Sequence, residues 1–273
     1  MSITTEDGIV AGLKPPLRFY KAAFTGEAAG QMHNLFALAG RPGAGAFSTP
    51  GMAGATVTDA SAIGGMLLFD NPASGNAYLA RLAVSVGANI VGFHLYDLLW
   101  YQSGIAVTTT TAQTVNSVTL PARDADGTTN GNGVEAWLHC AAATTNGSAV
   151  SNTTLSYTNS AGTSGRSAGL TLSWPATAVA GTVVPFALQG SDAGVRSIQT
   201  ITLGTSYGAG TLNLLIVRQI TFVPMVSATS GVLLDWAGLG LPQLFNDSAL
   251  YFAALLSGTA AGSVQGDLNF THG

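Results

Sequence analysis

The sequence predicts an all-β fold, mainly antiparallel, of β-sandwich or jelly-roll type with an extended N-terminal arm, on three observations. Apolar residues alternate with small or polar ones in many short runs, and Gly, Asn and Ser clusters separate those runs. Period-two alternation is the pattern of a half-buried strand, and those clusters supply the positive φ angles and Asx turns of tight connections. Third, only 8% of the 273 residues are charged, about a third of the roughly 25% usual for a soluble domain. The surface must then be built from Thr, Ser, Asn, Gln, Gly and Ala, which are cheaply desolvated against another protein; this is the composition of a subunit.

Taken in order, residues 1–55 form the candidate arm. Within it, Ala28, Ala29, Met32, Leu35, Phe36 and Leu38 recur at roughly helical spacing after Thr25, a suitable N-cap, so a short helix is predicted between Thr25 and Ala39. The stretch from Arg41 to Gly54 holds Pro42, Pro50 and repeated glycines and resists regular structure. An arm carrying Phe19, Tyr20, Phe24 and Phe36 has to cover those rings, either on neighbouring subunits or on its own domain.

Residues 56–273 form the β body, with a division into two sub-domains near 100–105 left open. Tyr78, Ala80, Leu82, Val84 and Val86 share one predicted strand face. Leu155 with Tyr157, Leu170 with Leu172 and Trp174, Leu212 with Leu214 and Ile216, and Val264 with Leu268 and Phe270 repeat the pattern. The long uncharged run from Ser197 to Val217 is broken by Gly204, Gly208 and Gly210 and reads as two strands around a turn, not as a membrane span.

Composition also bounds function. The net charge is −4 and no stretch gathers Arg and Lys, so nucleic acid is excluded as an expected partner. A membrane is excluded on the same footing. The single Cys140 cannot form an intrachain disulfide, and Glu6 and Asp7 near the start are unlike a secretory signal, so synthesis in a cytoplasm is expected.

No catalytic constellation emerges. The closest text to a nucleophile elbow, Gly162-Thr163-Ser164-Gly165, has the wrong spacing. His33, His94, His139 and His272 stand singly, and the adjacent His139 and Cys140 point to opposite faces of a strand. Asp124, Asp126, Asn130, Asn132 and Glu135 fall at positions 1, 3, 7, 9 and 12 of a calcium-loop template, but Thr128 and Thr129 occupy positions 5 and 6, where the template wants a ligand and Gly. An Asp/Asn/Gly hairpin loop is the favoured reading of that stretch. Trp100, Trp137, Trp174 and Trp236 sit in apolar runs and are expected in core or interface positions, with a sugar-stacking groove as the alternative. The expectation is a protein that is not an enzyme and takes no cofactor.

Several stretches resemble virion structural proteins of tailed bacteriophages. They are Phe69-Asp70-Asn71-Pro72, Tyr96-Asp97-Leu98-Leu99-Trp100, the run from Thr114 to Asp124, Leu155-Ser156-Tyr157-Thr158-Asn159-Ser160, and the run from Phe186 to Ser197. The resemblance covers about residues 65–273. It implies a virion component without catalytic residues, favouring a capsid decoration or cement protein on the particle surface. The implied partners are the major capsid protein and copies of the chain itself, a trimer being favoured; the alternative is a tail or host-adhesion component that binds glycans. Trp100 joins the four arm aromatics as an interface candidate. Asp192 and Arg196, four residues apart, are read as a local turn pair or an intersubunit ion pair.

Overall fold

The alternating runs become strands that wrap into a closed barrel with a sheet on each flank. The computed structural model describes residues 3, 5–58, 63–115, 117, 119–226 and 229–273. The chain begins with α1 (Glu6–Gly12), β1 (Leu17–Lys21), β2 (Phe24–Thr25), β3 (Met32–Asn34), β4 (Gly40–Arg41) and β5 (Ala55–Thr56). There follow β6 (Ala77–Val86), β7 (Ile90–Gln102), β8 (Ala112–Thr114), β9 (Val134–Ala142), β10 (Thr154–Asn159), β11 (Arg166–Leu170) and β12 (Thr182–Ala187). The last part comprises β13 (Val195–Thr202), β14 (Thr211–Pro224), β15 (Gly231–Leu234), α2 (Trp236–Leu239), β16 (Gln243–Leu244), β17 (Leu250–Leu256), β18 (Ala260–Ala261) and β19 (Val264–His272). Strand pairings among the described residues are antiparallel, as the short turn-rich connections require.

Six strands in the order β3-β17-β7-β14-β9-β12 close on themselves through the pairing of β12 with β3. The barrel interior takes the inner faces and the flanking cores cover the outer ones, so β7, β9, β14 and β17 are buried on both sides and do not alternate. Inward residues such as Tyr96, Leu98, Trp137, Leu215, Val217 and Tyr251 fill the barrel, as the small radius of a six-stranded barrel demands. Cross-strand register puts Leu215 opposite both Tyr101 and Trp137, one interior layer.

A second core lies between the outer face of β9 and β14 and the extension β12-β11-β10-β13-β8, where Trp100, Leu138, Tyr157, Trp174, Ile201 and Leu214 meet. A third lies under the sheet β15-β6-β19-β1-β4, which covers Phe93, Leu95 and Phe252 on the opposite flank. The two strands read in Ser197–Val217 are present as β13 and β14, but they pair with other strands instead of with each other.

The predicted helix between Thr25 and Ala39 is not there. That stretch forms β2, a turn and β3, because Met32–Asn34 are taken up by β17 and β12, and tertiary pairing outweighs the weak helical spacing. The helix of the N-terminal segment is α1, capped by Thr5, whose side chain accepts from the Gly8 amide. Of the arm aromatics, Phe19 and Phe36 are buried on their own chain, where β1 lies between β19 and β4 and β3 closes the barrel, whereas Tyr20 stays exposed. Two strand faces also differ from expectation. A bulge in the β6–β19 pairing brings Leu79 inward in place of Tyr78, and β11 ends at Leu170, leaving Leu172 exposed.

One charged group ties these layers together. Asp97, fully buried in β7, accepts from Ser248 Oγ at 2.7 Å and the Ala249 amide at 2.9 Å. It faces Arg123 Nε at 3.2 Å and Arg218 Nη2 at 3.7 Å. Burial pushes its carboxyl up, against the pull of both guanidinium groups. Arg123 donates onward to the carbonyls of Val57, Leu98 and Asp247, and Arg218 donates to Gln243 and lies over the Phe245 ring.

Asp97→Asn should therefore destabilise the fold by about 3–5 kcal/mol, because it strands two buried guanidinium groups without a counter-charge. Denaturant unfolding monitored by tryptophan fluorescence reads this directly.

Candidate functional site: the mouth of the barrel

The strongest concentration of unused polar chemistry lies at one end of the barrel. Here the ends of β3, β7 and β9 and the starts of β12 and β14 surround a cavity of about 350 Å³, a volume in the range of small-molecule sites. Its floor holds His33, Asn34, His139 and Asn213, all buried. Register in the β9–β14 ladder sets Asn213 directly opposite His139. Exposed Ala37, Ala46, Ala141 and Ala180 form a rim of small residues above the buried floor.

Aromatic rings form one wall. Phe47 stacks on Phe36 at 4.4 Å and meets Tyr101 and the edge of His139 at 5.0 and 5.3 Å. Ser48 Oγ and Tyr101 Oη are hydrogen-bonded, anchoring the segment that carries Phe47. Asn34 spends both ends of its amide locally, donating to the Gly181 carbonyl and accepting from the Phe36 amide. Gly181 has φ +102°, and a Cβ there would fall 2.2 Å from His33 Nε2, so only glycine lets that imidazole occupy its place.

Among the described residues, three buried atoms of the lining side chains, His33 Nδ1, His139 Nδ1 and Asn213 Oδ1, have no hydrogen-bond partner and essentially no accessible surface. Burial lowers His33 to about 4, and burial with the neighbouring His33 lowers His139 to about 3, so both imidazoles are neutral at pH 7. Among the described residues, the lining contains no Asp, Glu, Lys or Arg. Cys140 turns its thiol away, donating to the carbonyls of Ala142 and Ala178, and burial raises it to about 12. The arrangement offers hydrogen bonds and ring surface in a neutral setting, with neither an activated nucleophile nor a charged acid and base.

The calcium-template residues do not converge. Asp124 accepts from the amides of Asp126, Thr128, Gly131 and Asn132 and from the Thr128 hydroxyl. Burial pulls its carboxyl up, but those hydrogen bonds outweigh it and hold the group below the usual range. Asp126 accepts from the Asn132 side chain, the Asn130 amide donates to Thr128 Oγ1, and Glu135 accepts from Trp137 Nε1 at 2.8 Å. The stretch is a self-satisfied turn. Among the described residues, no three His, Cys, Asp or Glu side chains are gathered to hold a metal.

The interface candidates separate by exposure. Phe19 is in the core, stacked with Phe93 and against Phe252; Phe36 and Trp100 are equally buried. Phe24 is half-buried with its ring on His33, whereas Tyr20 is exposed. Asp192 pairs with Arg166 at 2.8 Å and also accepts from Tyr157 and Asn159, so the expected pair with Arg196 is replaced by one reaching across to β11. Arg196 is exposed. Trp137 and Trp174 are fully buried, and Trp236 is half-buried on α2. Asn116 and Val118 of the resembling run from Thr114 to Asp124 lie outside the described residues.

The pairing of His139 with Asn213 carries no spacing signal in the sequence. Alternation alone placed both on strands, and only the register of β9 against β14 makes them neighbours.

Two outcomes follow. Because the buried histidines are neutral in the fold and charge on unfolding, stability should be level between about pH 7 and 8 and fall as pH drops through 6.5 towards 4. The loss reaches about 2 kcal/mol per buried histidine at pH 5, and a His139→Gln variant should show a shallower fall in a series of denaturation curves. Millimolar calcium or a chelator should leave the thermal midpoint unchanged, since the Asp124 oxygens are already engaged; differential scanning calorimetry checks this.

No protein-family model matches this chain, and no curated protein matches it. Among solved structures, the VP2 subviral particle of infectious bursal disease virus aligns over 95% of this chain and 80% of its own, at 10% identity and TM-score 0.19. The structure of the Gt strain of that virus aligns over 95% and 82%, at 11% identity and TM-score 0.20. This is a weak likeness to viral particle proteins, and at such TM-scores it carries no argument about this chain.

Proposed function

We propose that this chain is a non-enzymatic virion structural subunit of a tailed bacteriophage, a capsid decoration or cement protein that binds the major capsid protein and copies of itself as a trimer on the particle surface. The observation that carries the reading is where the charge goes. Of nine Lys and Arg residues, Lys21, Arg123 and Arg218 are buried, while Arg81 and Arg166 are paired with Asp267 and Asp192. A chain already poor in charge thus spends part of it on internal ties, and its exterior is left sparse in charge and cheap to desolvate.

Apolar side chains stand on that exterior: Val226 is 93% exposed and Leu233 61%. Leu233 and Tyr20 flank an open groove of about 750 Å³ on the outer face of the sheet β15-β6-β19-β1-β4, with Arg18, Arg41 and Asp267 around it. Apolar anchors with a few charges at the edge match the anatomy of a protein–protein contact. Deleting the N-terminal segment is a poor test, because it would remove β1 and β3 from their sheets. Exposed side chains can be changed without that cost.

Leu233→Glu should fold with unchanged stability and bind capsids at least tenfold more weakly in a sedimentation assay. Cryo-electron microscopy of the encoding phage, with copy number from quantitative mass spectrometry, should place hundreds of copies on the icosahedral lattice. A few copies confined to the tail would replace this reading with the adhesion one.

A further inference from the structure

We infer that the open half of the outer face of the sheet β15-β6-β19-β1-β4 receives helix α1 of a second copy of this chain. This contact rests on the self-association already proposed and does not depend on the capsid.

Cross-strand register fixes what the face presents. Leu233 of β15 is opposite Ala83 of β6, Ala83 is opposite Asp267 of β19, and Asp267 is opposite Arg18 of β1. In the next row Tyr20 is opposite Arg41 of β4. Leu233 and Arg18 are three strand spacings apart, about 14 Å, and Ala83 and Ser85 between them are small. The face therefore sinks into the groove of about 750 Å³, wide enough for an α-helix about 10 Å across.

This groove is also where surface cations gather. Half of the Lys and Arg residues that are not buried, Arg18, Arg41 and Arg81, stand on this one face. Asp267 is taken by Arg81 at 3.1 Å, and Asp235, beyond the end of β15, caps α2. Among the described residues, neither Arg18 nor Arg41 has an ion-pair partner, and both are exposed.

Helix α1 carries the complement. Ile9 is buried, and its carbonyl accepts from Thr271 Oγ1 at 2.8 Å, which holds the helix over the far end of β19. Val10 is 67% exposed and follows Glu6 and Asp7 by four and three residues, so the three share the outer side of the helix. Glu6 and Asp7 are the one adjacent pair of acids in the sequence, and among the described residues they too have no ion-pair partner. Lys14, which follows the helix, lines a separate hollow with Asp70.

A helix held at Thr271 lies about 13 Å along β19 from Asp267, with its exposed side turned away from its own sheet, so it cannot fill its own groove. A second copy supplies what each surface lacks. The acids meet Arg18 and Arg41, while Val10 meets Leu233 and Tyr20, giving apolar anchors edged by opposite charges. Helix and groove are different surfaces, so the contact is head-to-tail, and three of them close a trimer. Linked copies grip a particle together, so losing the contact also weakens capsid binding.

Sedimentation equilibrium on the full chain tests this, with circular dichroism on every variant. The native chain should self-associate with a dissociation constant in the micromolar range, more weakly as salt rises. Glu6→Lys with Asp7→Lys on the helix, and Arg18→Glu with Arg41→Glu on the sheet, should each weaken self-association at least tenfold. Mixing these two chains should bring back a heterodimer, because the first keeps its groove and the second its helix. That result is expected even if the lysines melt α1, since the first chain lends only its groove; Leu233→Glu replaces the arginine pair if that pair disturbs the sheet. A chain that stays monomeric at millimolar concentration, reversed chains that associate as the native one does, or a mixture no better than its parts would overturn the inference. Monomers that still sediment with capsids would overturn it and leave the virion reading in place, whereas charge-dependent association without capsid binding would sustain it while that reading falls.

Discussion

The buried carboxylate of Asp97 is the contact on which the rest of the structure depends. It sits on the barrel strand β7, and the groups it engages come from β14, from the loop holding Arg123 and from the turn that leads into β17. Those four pieces are where the barrel interior meets the two flanking cores. An ion cluster in such a place contributes little net stability compared with well-packed apolar residues, because desolvation offsets most of its Coulomb gain. What it contributes is specificity: a strand slipped by one residue would leave three charges buried without partners.

The same economy recurs elsewhere. Lys21 is fully buried and donates to the carbonyls of Leu38, Pro42, Gly43 and Gly65, fastening the irregular stretch after β3 onto β1. Glu27 accepts from the Val179 amide and from Thr182 Oγ1, fastening the N-terminal segment to the start of β12. Asp124 organises its own turn, and Asp192 joins β10, β11 and the turn before β13. With one cysteine and no disulfide available, a chain of many long-range pairings uses single charges as internal cross-ties. The sparse surface charge that supports a docking role and the uncharged barrel mouth both accompany this use of charge inside.

Closure of the barrel has a further consequence for chemistry. A closed six-stranded barrel is filled by side chains along its length, so open space survives only where strands end. At the mouth, β9 and β14 still hold the backbone of His139 and Asn213 in register, but the side chains that would cover them from above are replaced by the loop carrying Phe47. Polar side chains are there held rigidly beneath the floor of the cavity. Towards the other end His94 finds Tyr96 and the Phe222 ring.

What the sequence determined by itself is local: alternation at Leu155 and Tyr157 or at Val264, Leu268 and Phe270, the Asx turn of Asp124, the buried tryptophans, and a composition suited to a subunit. These were legible because period-two burial and turn chemistry act within a few residues. The helix expected after Thr25 failed because its weak spacing competed with pairing partners far along the chain. Barrel closure through β3 and β12, the meeting of Asp97 with Arg123 and Arg218, and the facing of His139 and Asn213 were decided only by the tertiary structure. The reason is physical: each depends on the register between strands distant in sequence, and register is set by the packing of the whole, which no local pattern encodes.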